Sequence, residues 1–256
     1  MHKIYGITQG EQDIDLSEML PGRVERGTIG RMGCYMWCIK YEKTALLVDT
    51  GMTDEDAKFF FRMPGAKCLG GQKYIEAKLK ELDVYPAEIE IVIVSHLHFD
   101  HFSAHQLYPK ASFYIQKKDI EFYTGPGVRF QQIRHGAANI PEVVSLAWAK
   151  RIRYVDGNEQ IIPGVRVVLV GGHTPGTQVV VVTTSRGDAV ICSDSLDFYQ
   201  QLEEDVTRPS VNLMESLLAR DKIRALASSP ELIIPGHDAL AMKKFPSPIE
   251  GVIEIG

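Results

Sequence analysis

The feature that most constrains this 256-residue chain is a repeated pairing. A short apolar run rich in β-branched residues is followed at once by a histidine or an aspartate. Ile89–Val94 leads into Ser95-His96-Leu97-His98-Phe99-Asp100-His101, and Val165–Val170 leads into Gly171-Gly172-His173-Thr174-Pro175-Gly176. Ala189–Cys192 is followed by Asp194, and Leu232–Ile234 by Pro235-Gly236-His237-Asp238. Runs this rich in apolar residues mark strands buried on both faces. In open α/β sheets the strand ends form the crevice where ligands bind. Four strand ends that each deliver His or Asp to one edge are hard to explain by packing. They predict an α/β chain with a polar site along a sheet edge.

The remaining pattern alternates strands and helices. Tyr35–Ile39 and Ala45–Val48 form an expected strand pair, closed by Asp49-Thr50-Gly51. Gly71–Leu82 carries Ile75, Leu79 and Leu82 at helical spacing. Ser210–Ala227 is predicted helical, with Ser210 as N-cap and Leu213, Leu217 and Leu218 on its apolar face. From Asp119 to Arg151 the chain holds Phe122, Tyr123, Phe130, His135, Ile140, Val143 and Trp148, too apolar for a linker. This stretch, about 119–151, is expected to form short helices that cap the main body. They either cover the core or touch substrate, and His135 is the histidine there to watch. His2 is terminal, and His105 is expected to pack or to be solvated.

The chain is read as a single domain, 1–256, long enough to bury a large core without a staple. Its formal net charge is −5. An acidic balance disfavours a nucleic-acid partner, which calls for a basic stripe, and a polybasic membrane anchor. No run of 18 apolar residues occurs, so no transmembrane helix is expected, and no signal peptide is recognised at the N-terminus. Cys34, Cys38, Cys68 and Cys192 need not pair. Cys34 and Cys38 read as small buried residues of a strand rather than half of a metal site. A reducing, cytoplasmic setting follows. A homodimer is left open.

The residue types at the strand ends specify chemistry. Imidazole nitrogen and carboxylate oxygen suit a borderline divalent metal such as Zn²⁺, with Fe, Mn or Co as alternatives. Residues at i and i+2 in an extended segment lie on one side, so His96 and His98 can grip one ion together. Asp100 and His101 then face a neighbouring position. One metal needs only three or four of these groups, so the number of donors implies two metals. Asp194 is the natural carboxylate to bridge them. The glycines beside His173 and His237 allow sharp turns and close approach.

His-x-His-x-Asp-His, then Gly-His-x-Pro-Gly, a bridging Asp and a late Gly-His resemble the metallo-β-lactamase superfamily. Within it, Ser-His-Leu-His-Phe-Asp-His and the upstream Leu-Val-Asp-Thr-Gly-Met resemble the N-acyl homoserine lactonase branch, which is quorum-quenching. The likeness runs from about Tyr35 to His237. It implies a four-layer αββα sandwich. It also implies a ligand set: His96, His98 and His173 for one metal, Asp100, His101 and His237 for the other, and Asp194 between them. Asp49 matches an aspartate behind the site that orients a ligand histidine.

One position departs from that branch. Its members carry a tyrosine three residues after the bridging aspartate, and here that residue is Asp197. Tyr199, two residues further on, is the candidate substitute. An acid at Asp197 could not stabilise an oxyanion unless protonated.

The expected reaction is hydrolysis of a lactone, an N-acyl homoserine lactone or a related one. A metal-activated water attacks a metal-polarised carbonyl, and Asp100 relays the proton to the leaving alkoxide. The rivals are a β-lactamase, thioesterase or cyclic-amide hydrolase on the same core, a phosphodiesterase, an iron-dependent oxidoreductase and a non-catalytic metal binder. The intact His98 weighs against the di-iron relatives, and the acidic balance weighs against phosphodiesters.

Overall fold

A computed structural model describes residues 1–42, 44–126 and 140–256. The expectations for Phe130 and His135 fall outside these residues. The first sheet holds β1 (Lys3–Asp15), β2 (Ile29–Tyr41), β3 (Thr44–Val48), β4 (Lys67–Cys68), β5 (Ile91–Ile93), β6 (Ser112–Gln116), β7 (Ile152–Val155) and β13 (Val252–Ile255). Its order is β13-β1-β2-β3-β5-β6-β7, with β4 paired to β1. The second sheet holds β8 (Glu159–Ile162), β9 (Val165–Leu169), β10 (Gln178–Thr184), β11 (Gly187–Ile191) and β12 (Ile233–Ile234), in the order β12-β11-β10-β9-β8. The helices are α1 (Asp54–Phe60), α2 (Gln72–Glu81), α3 (Lys117–Thr124), α4 (Ile140–Trp148), α5 (Gln200–Glu204), α6 (Leu213–Leu226) and α7 (Ala241–Lys244).

Three buried clusters account for the layers. Alternation along β2 sends Tyr35, Trp37 and Ile39 into the space between the sheets, where Val165, Val167, Val180, Val182 and Ile191 meet them. Met36 and Cys38, on the opposite pleat, pack with Ile75 and Leu79 of α2, Tyr123 of α3, and Val143 and Leu146 of α4. On the far side, Val168, Val179, Val181 and Val190 pack against Ala219 and Ile223 of α6. Helix, sheet, sheet, helix is the predicted αββα sandwich. The continuous Val/Ile runs of β10 and β11 arise because both faces of the second sheet are covered.

The expectations for the helix at Ser210–Ala227 need correction. The helix at the C-terminal side starts at Leu213, and its N-cap is Asn212, whose side chain accepts from Glu215 N–H; Ser210 is not the cap. Its buried face is Ser216, Ala219, Arg220 and Ile223, while Leu213 and Leu218 are exposed. The reason is proximity. A Cβ built on Gly172 would come within 2.5 Å of Ser216 N, so only small residues fit where α6 crosses that turn. The stretch from Asp119 does contain two helices, but Tyr123, Val143 and Leu146 belong to the main core, and Trp148 stands exposed. Cys34 and Cys38 are buried and unpaired as expected, and all four cysteines are free.

Candidate metal centre

Parallel pairing fixes where the donors meet. β3 runs parallel to β5, and β11 parallel to β12. β9 and β11 both run antiparallel to β10, so β9, β11 and β12 share one direction. The loops after β5, β9, β11 and β12 gather at one edge. Buried Gln178 stitches that edge across the sheets: its Nε2 donates to the Val94 carbonyl at 2.7 Å, and its N–H donates to the Ser95 carbonyl at 3.0 Å. Ser193 Oγ and Ser95 Oγ, one from each sheet, hydrogen-bond at 2.8 Å.

Two groups of donors result. His96, His98, His173 and Asp194 offer ligand atoms that lie within 4.8 Å of one another, and so do Asp100, His101 and His237. In the first group the His98 Nδ1 lies 2.8 Å from His96 Nε2 and 2.9 Å from His173 Nε2. Three imidazole nitrogens thus converge on one point. Asp194 lies between the groups. Its Oδ1 is 3.0 Å from His101 Nε2 and 3.1 Å from His237 Nε2, whereas its Oδ2 is 3.2 Å from His173 Nε2 and 3.6 Å from His96 Nε2. One oxygen therefore faces each group.

The atoms behind the donors fix their orientation. Asp49 follows β3 with φ +65°, a left-handed conformation that Asp tolerates better than most side chains. Its Oδ1 accepts from Ser95 N–H at 2.7 Å, and its Oδ2 lies 2.8 Å from His101 Nδ1. That contact turns His101 Nε2 toward Asp100, 3.3 Å away, and Asp194. His237 Nδ1 donates to the Gly33 carbonyl at 2.8 Å, which leaves Nε2 for the cluster. Gly236 is needed for packing, since a Cβ there would lie 2.5 Å from the Ser193 backbone. Gly172 turns with φ +86°.

Charge follows burial and neighbours. Burial, with His101 nearby, drives His96 well below its ordinary value, and burial with Arg208 does the same to His173; both are neutral donors. Burial opposes ionisation of Asp194, but His101, His237 and Arg208 outweigh it and hold the carboxyl well below the usual range. Burial likewise opposes ionisation of Asp100, and His101 overrides it, leaving the carboxyl at about 2. Among the described residues, buried His101 Nε2 and Asp194 Oδ1 make no hydrogen bond. Orphaned polar atoms aimed at a cluster of borderline donors fit bound metal ions.

Of the two substrate-side candidates, Asp197 joins the cluster: its ligand atom lies within 4.8 Å of those of Asp194 and His237. Tyr199 is placed differently. Its N–H donates to Asp238 Oδ2 at 3.0 Å, Lys244 Nζ stands 4.1 Å from its ring centre, and burial raises its hydroxyl pKa. His105 packs, stacked on Phe102 with ring centres 5.3 Å apart.

Sequence reasoning missed Arg208 and Asp119, and it placed Tyr123 only in the 119–151 stretch. Arg208 ion-pairs with Asp194 and, through Nε at 3.3 Å, with Asp197. Its only sequence hint is that a buried Asp197 needs a counter-ion. Asp119 is fully buried at the start of α3; its Oδ2 accepts from Leu97 N–H at 3.0 Å, and its Oδ1 from Gly176 N–H at 2.7 Å and Thr174 Oγ1 at 2.7 Å. It clamps the two histidine loops together. Tyr123, also buried, sets its ring edge-on to His98, and its hydroxyl makes no hydrogen bond among the described residues.

A family model described as the metallo-beta-lactamase superfamily matches residues 29–237. The chain belongs to the metallo-β-lactamase superfamily. An N-acyl homoserine lactonase of Bacillus cereus is 22% identical over 247 residues, spanning 92% of this chain and 93% of that one. A solved N-acyl homoserine lactone hydrolase, with the product N-hexanoyl-L-homoserine bound at its catalytic metal centre, superposes with TM-score 0.75 at 19% identity, over 96% of this chain and 97% of that one. A dizinc quorum-quenching lactonase superposes with TM-score 0.69 at 16% identity, over 93% and 88% of the two chains. Both superpositions carry the αββα fold.

Proposed function

We propose that this protein is a dizinc lactonase that opens N-acyl homoserine lactones or closely related lactones. The observation that carries the reading is Asp194, with one carboxylate oxygen toward each donor group. His96, His98 and His173 would hold one zinc, Asp100, His101 and His237 the other, and Asp194 both. When bound, two such ions activate a water for attack and polarise the ester carbonyl. Asp49 keeps His101 in the orientation that ligation requires. Asp100, ionised and beside His101, takes the proton from the attacking water and passes it to the leaving alkoxide. An aromatic wall of Phe99 with Phe59 and Phe60, ring centres 6.1 and 6.0 Å apart, borders the histidine string and suits an apolar substituent. The lactonase relatives support the substrate class. The free thiols suit a reducing, cytoplasmic compartment.

The test is hydrolysis by the zinc-loaded protein of a panel of lactones, β-lactams, thioesters and phosphodiesters. Lactones are expected to react fastest. Preference for another class replaces the substrate while retaining the ligand set. Near-normal turnover by His98→Ala with its metal content verified overturns the site.

A further inference from the structure

We propose that Arg208 is the specificity-determining residue of this site, binding the carbonyl oxygen of the substrate's ester and the carboxylate that ring opening makes of that carbonyl. The reaction rests on the lactonase reading above; the role of Arg208 rests on geometry.

A guanidinium that is mostly buried, with 17% of its side chain exposed, is costly unless paired. Arg208 has two carboxylates, and they differ in kind. Asp194 turns both oxygens toward ligand histidines, so bound metals would compete with Arg208 for its lone pairs. The Arg208 Nη2 also lies 3.2 Å from His173 Nδ1 and 3.3 Å from its Nε2. Metal ions held by these residues would set like charge against the Nη2 end of Arg208. Asp197, outside the assigned ligand set, is the other partner. Its backbone N–H donates to Gln201 Oε1 at 2.7 Å, and its carbonyl accepts from His237 N–H at 3.0 Å, which fixes it beside the ligands. The strand of chain that carries Arg208 is fixed too. Arg220, buried on α6, donates to the Val206 carbonyl, and Ser210 Oγ donates to the Arg208 carbonyl at 3.0 Å.

Ion-paired with Asp197 at 3.3 Å, the guanidinium keeps its Nη edge within reach of the same cluster. A substrate whose carbonyl is to be attacked must lie there. In the reaction, water oxygen bonds to the carbonyl carbon, the ring C–O bond breaks, and the alkoxide leaves with a proton. The new acid then ionises. Negative charge grows on the carbonyl oxygen and ends shared over a carboxylate, the shape that a planar N–H fork matches in two parallel bonds. Interaction that strengthens as charge develops favours turnover over mere binding.

The test compares wild type, Arg208→Gln and Arg208→Lys as metal-loaded proteins. Calorimetry measures binding of N-hexanoyl-L-homoserine and of its neutral carboxamide, and metal content is assayed alongside. Expected for Arg208→Gln are full metal content, acid binding weaker by about 10- to 150-fold, and carboxamide binding weakened at least about tenfold less. Arg208→Lys is expected to recover part of the acid affinity. Unchanged acid binding in Arg208→Gln, equal losses for acid and carboxamide, metal loss in Arg208→Gln, or no acid binding by wild type each overturns the proposal. A wild type that hydrolyses no lactone overturns the proposed function instead, and the acid-against-carboxamide comparison still decides Arg208.

Discussion

At the scale of single residues, the centre depends on side chains that are not themselves ligands. Asp49 is the clearest, since its carboxylate receives Ser95 and faces His101 Nδ1 at once. Asp49→Asn keeps the shape but brings an amide group to a place built for two acceptor oxygens. Metal affinity is expected to fall about 10- to 100-fold, read by competition with a chromophoric chelator, while far-ultraviolet circular dichroism stays unchanged. Full affinity in Asp49→Asn counts against an orienting role. The ligand residues were legible from sequence because each follows a buried run directly. Arg208 was not. It sits in Asp205-Val206-Thr207-Arg208-Pro209, where no periodicity marks an inward residue, and Asp197 meets it only through the folded turn.

At the scale of elements, the strands were read well and the helix face was not. Val- and Ile-rich runs at β9, β10 and β11 encode burial on both sides, and the structure covers both sides. In α6 the leucines signalled a face that close approach to Gly172 reserves for small residues. The prediction is a contrast measured by urea denaturation. Ile223→Ala costs about 2–5 kcal/mol by leaving a cavity, while Leu218→Ser changes stability by no more than about 0.5 kcal/mol. Reversed costs would restore the leucine face. Asp119, which ties the loop after β5 to the loop after β9, gives a pH signature. Burial raises its carboxyl from 3.8 to about 6, against the hydrogen bonds from Thr174, Leu97 and Gly176. The native state then binds more protons than the unfolded chain between those values, so stability falls as pH rises through the window. The drop is about 3 kcal/mol at most, from two pK steps of about 1.4 kcal/mol each. In metal-free protein, Asp119→Asn is expected to remove this slope from melting temperatures taken between about pH 4 and pH 6. An unaltered slope assigns the titration elsewhere.

At the scale of the whole molecule, the donors come from both halves of the sandwich. His96, His98, Asp100 and His101 follow a strand of the first sheet, and His173, Asp194 and His237 follow strands of the second. Metal ions held by both link the sheets through bonds that the unfolded chain lacks. With free zinc at about 100 times its dissociation constant, stabilisation is about 2.7 kcal/mol. Chelation is expected to lower the melting temperature by about 5–10 °C, and zinc to restore it, as followed by calorimetry. No change on chelation would mean that the sheets hold together without the ions. The same division of donors has a kinetic meaning. Neither sheet alone can assemble the complete coordination set, so the visible absorption of bound cobalt becomes a stopwatch for refolding. Its full amplitude can appear only after the halves have met, however early each has formed its hydrogen bonds.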